Sequence, residues 1–279
     1  HGKGAGIIAR IIKVFLKKPL IYTFHGIHTL CLNRLKKNIY ILYENLTGWI
    51  DDEKIFVSTS EKIQAINMKI FIGENNRIIN NSSKNKLLLK AHREKNNCKI
   101  GIKNQKKNII SICRLVDQKN IFEIFEIARN LPVYNFIVLG DGYLFDKAKI
   151  FLKYSNIQNV YLFGNKTDVF KYLYESDLFL STSLYEGHPI SILEAMSIGL
   201  PIVASKVTGN IDTIKNNFSG LFYRLGDINE AVNCIEKIMK NSDLKLKISN
   251  NSYLTHGKIF NTKKMKNEYI SLYNKHDIF

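Results

Sequence analysis

Two glutamates, Glu186 and Glu194, stand eight residues apart in the stretch STSLYEGHPISILEAMSIGLPIVAS. On one continuous helix this spacing separates them by about 12 Å along the axis and roughly 80° around it. Carboxyl groups that share one glycosidic bond need a separation of about 5 to 9.5 Å. If the helix begins near Pro189, Glu186 lies on the preceding loop, and a compact acid/base pair is disfavoured. The spacing suits two contacts with one extended ligand.

The segment GHPIS between the glutamates predicts a helix start that can bind an anion. Gly187 permits a sharp turn, and Pro189 is favoured as the first helical residue because its missing N–H needs no partner. The N–H groups near Ile190 and Ser191 would then point outward, as in a phosphate site. The alternative is structural, because Ser191 and Glu194 match a capping box in which Glu194 only satisfies backbone donors. The sequence leaves both interpretations open.

Two cations, Arg114 and Lys119, follow the apolar run NIISI in the stretch NIISICRLVDQKN. Because an α/β sheet binds ligands at the carboxyl ends of its strands, these cations are placed to hold a diphosphate. Arg would do so through two parallel hydrogen bonds and Lys as a point charge. The alternative is a solvated pair of loop charges.

A histidine, His25, ends the run IYTF and precedes Gly26. A single histidine is more often structural than catalytic, and His28 competes for the same role. The sequence contains no HExxH, P-loop or GxSxG motif. His25 therefore gains meaning only from the elements around it.

From about Lys107 onward, short apolar runs alternate with amphipathic stretches. Strands are predicted at NIISI, NFIVLG, NVYLFG, DLFLSTS and PIVAS, with a helix after each. Strands that are apolar on both faces and separated by helices indicate a parallel sheet covered on both sides, in a doubly wound α/β domain. The tail places Met265, Tyr269 and Tyr273 at helical spacing.

The first hundred residues are less regular. They predict a helix from about Ala5 to Lys17, the strand LIYTF, a helix from about Asn33 to Trp49 and the strand KIFVSTS. The polar stretches 80–86 and 93–107 are candidate linkers, and the second is expected to carry a short strand at its centre. This part resembles an incomplete second α/β unit.

The composition excludes several classes of protein. The net charge is +17, but the lysines are dispersed among isoleucines and asparagines, and no nucleic-acid motif accompanies them, so we expect no nucleic-acid partner. The cysteines, Cys31, Cys98, Cys113 and Cys234, form neither a CxxC motif nor a metal-ligand spacing. They indicate reduced thiols in a cytosolic protein. No apolar run approaches the ~20 residues of a membrane span.

The order of these motifs resembles that of the family-4 glycosyltransferases of the GT-B fold. The resemblance is carried by HGKGAGIIAR, IYTFHG, ICRLVDQKN, IVLGDG, VYLFGN, SDLFLSTSLYEGHPISILEAMSIGLPIVAS and GLFY. Its most specific element is E-x7-E with P-x-x-x-L-E-A inside it. It implies an α/β protein of two Rossmann-like domains that face each other across a cleft. Residues 1–105 would form an incomplete acceptor-side domain, rejoined by a terminal helix at 261–279, and residues 106–260 the donor-binding domain.

The resemblance also implies roles for the candidate residues. Arg114 and Lys119 would hold the diphosphate of a nucleotide-sugar donor. Glu186 would lie beside the transferred sugar and Glu194 at the ribose hydroxyls. His25 would face the sugar from across the cleft, so that His25 and Glu186 are the expected catalytic residues.

The remaining donor contacts implied by the resemblance come from backbone and small residues. Two border the nucleobase, and a run before and into the predicted helix lies near sugar and phosphate. These residues are Gly164, Asn165, Gly187, His188, Pro189, Ile190 and Ser191. Family members retain the anomeric configuration and need no catalytic metal or cofactor. The leaving diphosphate is thought to help deprotonate the acceptor.

The sequence departs from the family pattern at several places. Cys113 replaces the usual glycine before the arginine, RIINNSS replaces the commoner Pro-Asn-Gly, and Asp212 stands where glutamate is frequent. The family's first strands and glycine-rich loop would be expected before His1. We therefore consider an inactive fragment among the alternatives.

We expect a hexosyl- or N-acetylhexosaminyl-type transferase that uses a UDP-sugar rather than a GDP-sugar. Its acceptor would be a glycan or polyprenyl-linked sugar in bacterial surface polysaccharide synthesis. The rival functions are a GT-B nucleotide-sugar epimerase or hydrolase, and a non-catalytic nucleotide-sugar or polyanion-binding module.

We expect a cytoplasmic protein. Its first helix carries a basic face that we expect to touch anionic lipids on the inner face of the plasma membrane. That face consists of Lys3, Arg10, Lys13, Lys17 and Lys18. The alternative is a merely solvated helix face.

Overall fold

A computed structural model describes residues 1–16, 18–27, 33–86, 88, 101–102 and 104–276, without the side chain of Lys3. Within these residues the strands form two parallel sheets, one of three strands and one of six. The smaller sheet is built from β1 (Ile21–Thr23), β2 (Glu53–Phe56) and β3 (Asn76–Ile78), in the order β1-β2-β3.

Helices accompany the smaller sheet. They are α1 (Lys3–Phe15), α2 (Arg34–Thr47), which continues into a 3-10 turn at Gly48–Ile50, and α3 (Thr59–Asn67). The predicted helices and strands of this part are confirmed with shifted ends. The helix α3 and the strand β3 were not predicted: α3 begins at Thr59, within the predicted strand KIFVSTS, and β3 is polar and half-buried rather than an apolar run.

The larger sheet begins at β4 (Asn108–Ile112) and ends at β9 (Leu221–Tyr223). The strands between them are β5 (Asn135–Leu139), β6 (Val160–Gly164), β7 (Leu178–Ser181) and β8 (Ile202–Ser205). The order is β6-β5-β4-β7-β8-β9, so the direction in which strands are added reverses between β4 and β7. Such a reversal opens a crevice at the carboxyl ends of the two strands.

Helices follow the five predicted strands as expected, whereas the helix after β9 (Ile228–Met239) was not predicted. They are α4 (Ile121–Asn130), α5 (Phe145–Tyr154), α6 (Val169–Tyr174), α7 (Ile190–Ser197), α8 (Asn210–Thr213) and α9 (Ile228–Met239). Successive residues of the strands belong to different hydrophobic clusters: Ile109 and Phe136 pack in one, Ile110 and Ile137 in the other. Both faces of the sheet are therefore covered, which explains why the strands are apolar throughout.

The last two helices are α10 (Ser242–Ile259) and α11 (Thr262–Lys275). The helical spacing predicted for the tail is confirmed, and α11 lies against the smaller sheet, where its buried Leu272 packs with Ile55 and Ile79. The chain crosses between the two sheets beside an earlier crossing, since the Ser83 N–H donates to the Phe260 carbonyl over 3.3 Å. The second candidate linker lies largely outside the described residues.

Arg10 on α1 does not belong to an exposed basic face, and the prediction for it was wrong. Its side chain is only 2% exposed, and it donates two hydrogen bonds to Asp51 (2.8 and 2.6 Å), one to Glu44 (2.8 Å) and one to Thr47 (2.9 Å). These acceptors lie on α2 and just after it, so Arg10 joins the two helices.

The other lysines of the predicted basic face give it little support. Lys13 donates to Asp52 and is held in an ion pair. Lys18 is exposed, whereas Lys17 lies outside the described residues. The outer side of α1 is apolar instead, with Ile8, Ile11 and Phe15 all exposed.

Candidate active site

The loops that follow β4 and β7 bring together Lys119 and Glu186, which are 67 residues apart in sequence. The Lys119 Nζ lies 2.5 Å from the Glu186 Oε1, and their side chains are 15% and 9% exposed. The pair therefore occupies the crevice where the strand order reverses. This is the edge of the sheet at which the sequence predicted a ligand site.

Hydrogen bonds fasten the Lys119 loop to the Glu186 loop. The Thr182 hydroxyl donates to the Lys119 carbonyl over 2.9 Å, and the Gln118 amide donates to the Tyr185 carbonyl over 2.9 Å. The Ser183 hydroxyl donates to the Glu186 Oε1 over 2.6 Å, the same oxygen that faces Lys119. The carboxylate and the ammonium are thus held in place by the backbone as well as by each other. Thr182, Ser183 and Gln118 were not predicted from the sequence.

The helix α7 begins directly after the Glu186 loop, at Ile190, with Pro189 as its N-cap residue and no side-chain cap. Pro189 thus precedes the first helical residue, one position from its predicted place. The capping box predicted as the alternative role of Glu194 is wrong, because Ser191 lies inside the helix and does not cap it. The first three N–H groups of α7, from Ile190 to Ile192, have no partner within the helix. They begin where the Glu186 loop ends.

Glu194 lies in the second turn of α7 and is half-buried. Burial raises the pKa of its carboxyl above the ordinary value. A carboxylate in this setting gains from accepting hydrogen bonds, such as those of two ribose hydroxyls. That role stays a prediction.

A second cavity, of about 310 Å3, lies at the carboxyl ends of β4, β5 and β6. Its lining includes Arg114 and Asn165, which the sequence placed in one site, and also Asp141 and Lys166, which it did not. Cys113 lines both this cavity and the crevice of Lys119 and Glu186, so the two are neighbours.

Close backbone packing builds the floor of the second cavity. A Cβ atom at Gly140 would lie 1.9 Å from the Cys113 carbonyl oxygen, which explains the glycine after β5. Gly164 ends β6 with a φ of 69°, and the next residue, Asn165, lines the cavity. Burial raises the pKa of the Cys113 thiol to about 12, so that it stays neutral where the family commonly has glycine.

His25 approaches this site from the smaller sheet. A Cβ atom at Gly187 would lie 2.9 Å from the Gly26 nitrogen and 3.0 Å from the His25 carbonyl carbon. The turn at His25 and the loop of Glu186 are therefore in backbone contact. The His25 side chain is exposed, and its Nε2 lies 2.9 Å from the His1 Nδ1. His28 lies outside the described residues.

The His188 side chain points to a different place from the other predicted donor residues. Its ring is 4% exposed and lies 5.1 Å from the Phe260 ring, near the crossing between the two sheets. Burial lowers the pKa of His188 to about 4, so that the ring is neutral. Its carbonyl accepts a hydrogen bond of 2.9 Å from the Asn81 side chain. Only the backbone of His188 belongs to the loop before α7.

Among the residues that the structure describes, no group of three or more His, Cys, Asp and Glu side chains is arranged to hold a metal ion. No helix in the described part of the chain combines the length and apolar character that crossing a membrane requires. The predicted independence from a metal stays a prediction.

The chain is similar to known proteins in both sequence and fold. An Escherichia coli protein named UDP-Gal:alpha-D-GlcNAc-diphosphoundecaprenol alpha-1,3-galactosyltransferase is 32% identical over 161 residues, which cover 54% of this chain and 41% of that one. The match thus spans less than half of its length. The capsular polysaccharide biosynthesis glycosyltransferase CapM of Staphylococcus aureus is 24% identical over 97% of this chain and 74% of its own.

Among solved structures, the crystal structure of Anabaena Alr3699/HepE in complex with UDP-glucose superposes with a TM-score of 0.83. The identity is 18%, and 96% of this chain and 76% of that one are covered, so the likeness concerns the fold. The α/β GT-B fold expected from the sequence is confirmed. The family model described as glycosyl transferases group 1 matches residues 92–255, which is more than half of the chain. The chain therefore belongs to the group 1 glycosyltransferase family.

Proposed function

We propose that the protein transfers a sugar from a UDP-sugar to a lipid-linked glycan acceptor. The observation that carries the proposal is the pairing of Lys119 with Glu186 in the crevice between β4 and β7, directly before the start of α7. A cation, a carboxylate and helix N–H groups without a partner inside the helix, all at one strand edge, suit a diphosphate joined to a sugar.

The charges of the site support a division of labour along the donor. Lys119 and the first N–H groups of α7 would stabilise the negative charge that develops on the leaving diphosphate. Arg114, in the neighbouring cavity, would bind the same diphosphate from the nucleotide side. Glu186 would lie beside the sugar, and Glu194 at the ribose. Bond formation on the face that the diphosphate leaves would retain the anomeric configuration, with no cofactor.

The Lys119–Glu186 ion pair also suggests a coupling between donor binding and catalysis. A diphosphate that bonds to Lys119 would draw the ammonium away from the Glu186 Oε1. The carboxylate would keep its bond from Ser183 and become available to the sugar. His25, which reaches the same loop from the smaller sheet, would contact the sugar from the opposite side.

The relatives support the donor and the acceptor. The name of the E. coli relative specifies UDP-galactose and a sugar linked through diphosphate to undecaprenol, and that of CapM specifies capsular polysaccharide. We therefore propose UDP as the nucleotide and a polyprenyl-linked glycan of surface polysaccharide synthesis as the acceptor. The larger sheet would bind the donor and the smaller sheet, with α11, would face the acceptor.

A transfer assay tests this function. The full chain is incubated with UDP-galactose, UDP-glucose or their N-acetylated counterparts, with and without a lipid that carries GlcNAc-diphosphate. We expect UDP release that requires the acceptor, together with a product one sugar longer. Epimer or free sugar formed equally without acceptor would identify the rival epimerase or hydrolase. Binding of UDP-sugars without any turnover would identify a non-catalytic module.

We further propose that the outer face of α1 rests on a membrane surface. Phe15 is 81% exposed, and Ile8 and Ile11 are exposed on the same short helix. Exposed Lys18 follows three residues after Phe15 and would favour an anionic surface. Apolar burial with a flanking cation replaces the basic face expected from the sequence, and it suits an enzyme with a lipid-linked acceptor.

The substitution Phe15→Asp should weaken binding to vesicles of anionic phospholipid about tenfold, because one buried aromatic side chain is lost from the lipid interface. Co-sedimentation of the full chain with such vesicles measures it. Tyr154→Asp is the matched control, since Tyr154 is 79% exposed on α5 in the other half of the protein. Equal losses in both variants, or an α1 face that is covered by a second copy of the chain without vesicle binding, would contradict the proposal.

A further inference from the structure

The buried carboxylate of Glu61 has no place in the function described so far. It lies in the first turn of α3 and is 0% exposed. The segment Ser58 to Glu61 has the S-x-x-E pattern of a capping box, and the Ser58 hydroxyl accepts the expected bond from the Glu61 N–H over 3.2 Å. The reciprocal bond of a capping box, from the Ser58 N–H to the Glu61 carboxylate, is replaced by bonds from two other N–H groups. The Glu61 Oε2 accepts from the Val57 N–H over 2.8 Å, and the Oε1 accepts from the N–H of Gly26.

Gly26 belongs to the turn that carries His25. His25 has a φ of 58° and Gly26 a φ of 110°, so two successive residues lie in the left-handed region. For a non-glycine residue such a conformation is unfavourable and persists only where the surroundings hold it. The Gly26 N–H is buried, and Glu61 is the acceptor that satisfies it. The carboxylate therefore holds the strained turn.

The same turn of α3 is attached to the other half of the protein. The Ser60 N–H donates to the Asp212 Oδ1 over 3.1 Å, its hydroxyl donates to the Oδ2, and the Gly209 N–H donates to the Ser60 hydroxyl over 3.0 Å. Gly209 in turn packs on the Glu186 loop, because a Cβ atom there would lie 2.7 Å from the Glu186 carbonyl oxygen. The start of α3 thus joins the His25 turn to the loop of Glu186.

We propose that Glu61 is a positioning residue whose ionised carboxylate holds the His25–Gly26 turn against Gly187, so that His25 faces Glu186. The inference rests on the proposed function, in which His25 contacts the donor sugar. It does not give Glu61 any contact with a substrate. A carboxylate is suited to this place because both of its oxygens accept, and two N–H groups point at it.

The protonation of Glu61 should make the position of the His25 turn depend on pH. Burial, together with the smaller effect of the Asp212 carboxylate that faces it from α8, raises its pKa to about 7, against the lowering effect of the bonds from the Val57 and Gly26 N–H groups. The titratable group on the turn that Glu61 holds is His25. A protonated carboxyl carries an O–H where an N–H donor requires an acceptor, so the grip on Gly26 should weaken as the pH falls through about 7.

Stability should change with pH in the opposite direction. The pKa of Glu61 is higher in the folded protein than its ordinary value of 4.5. A raised pKa means that this group contributes most to stability below pH 4.5 and that its contribution is lost as the pH rises through about 7. Turnover and this part of the stability are therefore expected to move in opposite directions between pH 5 and 8. A carboxyl with a purely structural role would not give turnover that rises while stability falls.

The substitution Glu61→Gln tests the inference. We expect kcat for transfer from UDP-galactose to fall about 10- to 100-fold, with KM changed less than about twofold, because the turn is misplaced while the donor site is intact. The acid limb of the kcat profile near pH 7 should disappear. Glu44→Gln is the matched control, since Glu44 is also buried in this half but contacts Arg10. An unchanged acid limb in Glu61→Gln, or the same kcat loss in Glu44→Gln, would overturn the proposal.

An NMR pH titration tests the contact between Glu61 and Gly26 independently of enzymatic activity. The Gly26 amide resonance should titrate near pH 7 in the wild type and in His25→Asn, which removes the neighbouring imidazole and keeps a residue that tolerates a positive φ. It should no longer titrate near pH 7 in the double variant Glu61→Gln/His25→Asn, in which neither the carboxyl nor the neighbouring imidazole is present. If the wild-type chain shows this titration but has no transfer activity, the proposed function is contradicted and the role of Glu61 in holding the turn is not. A Gly26 amide that shows no titration in either His25 form would overturn the role of Glu61, including where Glu61→Gln does not fold.

Discussion

Replacing Glu186 with glutamine should lower kcat about 100-fold or more and leave KM for the donor nearly unchanged. In the proposed function the carboxylate would stabilise positive charge on the sugar as the bond to the diphosphate breaks, and an amide of the same shape has no charge to do so. Lys119, which now faces the Glu186 Oε1 at 2.5 Å, would be released to the diphosphate, so donor binding has no reason to weaken. Steady-state transfer kinetics measure both constants.

The control for this substitution is Glu126→Gln. Glu126 is a partly exposed glutamate on α4 that pairs with Arg129 on the same helix. It should leave kcat within about twofold, as expected for a surface ion pair. A large rise in KM for Glu186→Gln with kcat preserved would place Glu186 among the binding groups and contradict its assignment beside the reacting sugar.

Replacing Arg10 with methionine should lower the free energy of unfolding by about 3 to 5 kcal/mol, because it leaves buried carboxylates without their cation. Arg10 bonds to both oxygens of Asp51 and to Glu44, and all these side chains are at most 2% exposed. Lys54 lies 3.2 Å from Asp51 and compensates only that partner. Methionine retains the apolar stem, so that the change isolates the guanidinium.

Denaturant unfolding measures this effect, and Arg129→Met provides the comparison. Arg129 is 48% exposed in its pair with Glu126, so its loss should change the free energy of unfolding by less than about 1 kcal/mol. Similar small losses in the two variants would show that Arg10 is not the link between α1 and α2 that the structure indicates.

The larger sheet could be predicted because its signal is local. Each strand is a short apolar run, and each run is followed by an amphipathic stretch, so the α/β pattern follows from sequence alone. The rule that ligands bind at the carboxyl ends of parallel strands then placed Arg114 and Lys119 at a ligand site, and the family resemblance added Glu186 to it. The smaller sheet was harder: the strand Asn76–Ile78 has no apolar run, and only its pairing with β2 makes it a strand.

The errors came from contacts that no local pattern contains. Arg10 appeared to belong to a basic face because its acceptors lie 34 to 41 residues away, on and after α2. Glu61 was not singled out from the sequence, because the partner that gives it a role, Gly26, is 35 residues earlier. The capping box at Ser191 failed for a different reason, since it depended on where α7 begins.

The part of the candidate site on the larger sheet could be predicted from local pattern, whereas the part on the smaller sheet could not. Arg114, Lys119 and Glu186 all follow strands of one sheet, and its topology places Lys119 beside Glu186 and Arg114 in the neighbouring cavity. The approach of His25 to Gly187 depends on how the second sheet lies against the first, through Ser60, Asp212 and the crossing near Phe260. The family resemblance supplied that expectation, whereas the residues alone did not.

The most direct test of the donor site is the affinity for UDP, measured by calorimetric titration of the wild-type chain, Lys119→Met and Lys237→Met. Lys237 is an exposed lysine on α9, so both variants lose the same charge. If the diphosphate binds between Lys119 and the start of α7, Lys119→Met should weaken UDP binding at least about tenfold, as for a lost charge-assisted bond, while Lys237→Met binds as the wild type does. Equal UDP affinity in all three proteins would contradict the assignment of this crevice as the donor site.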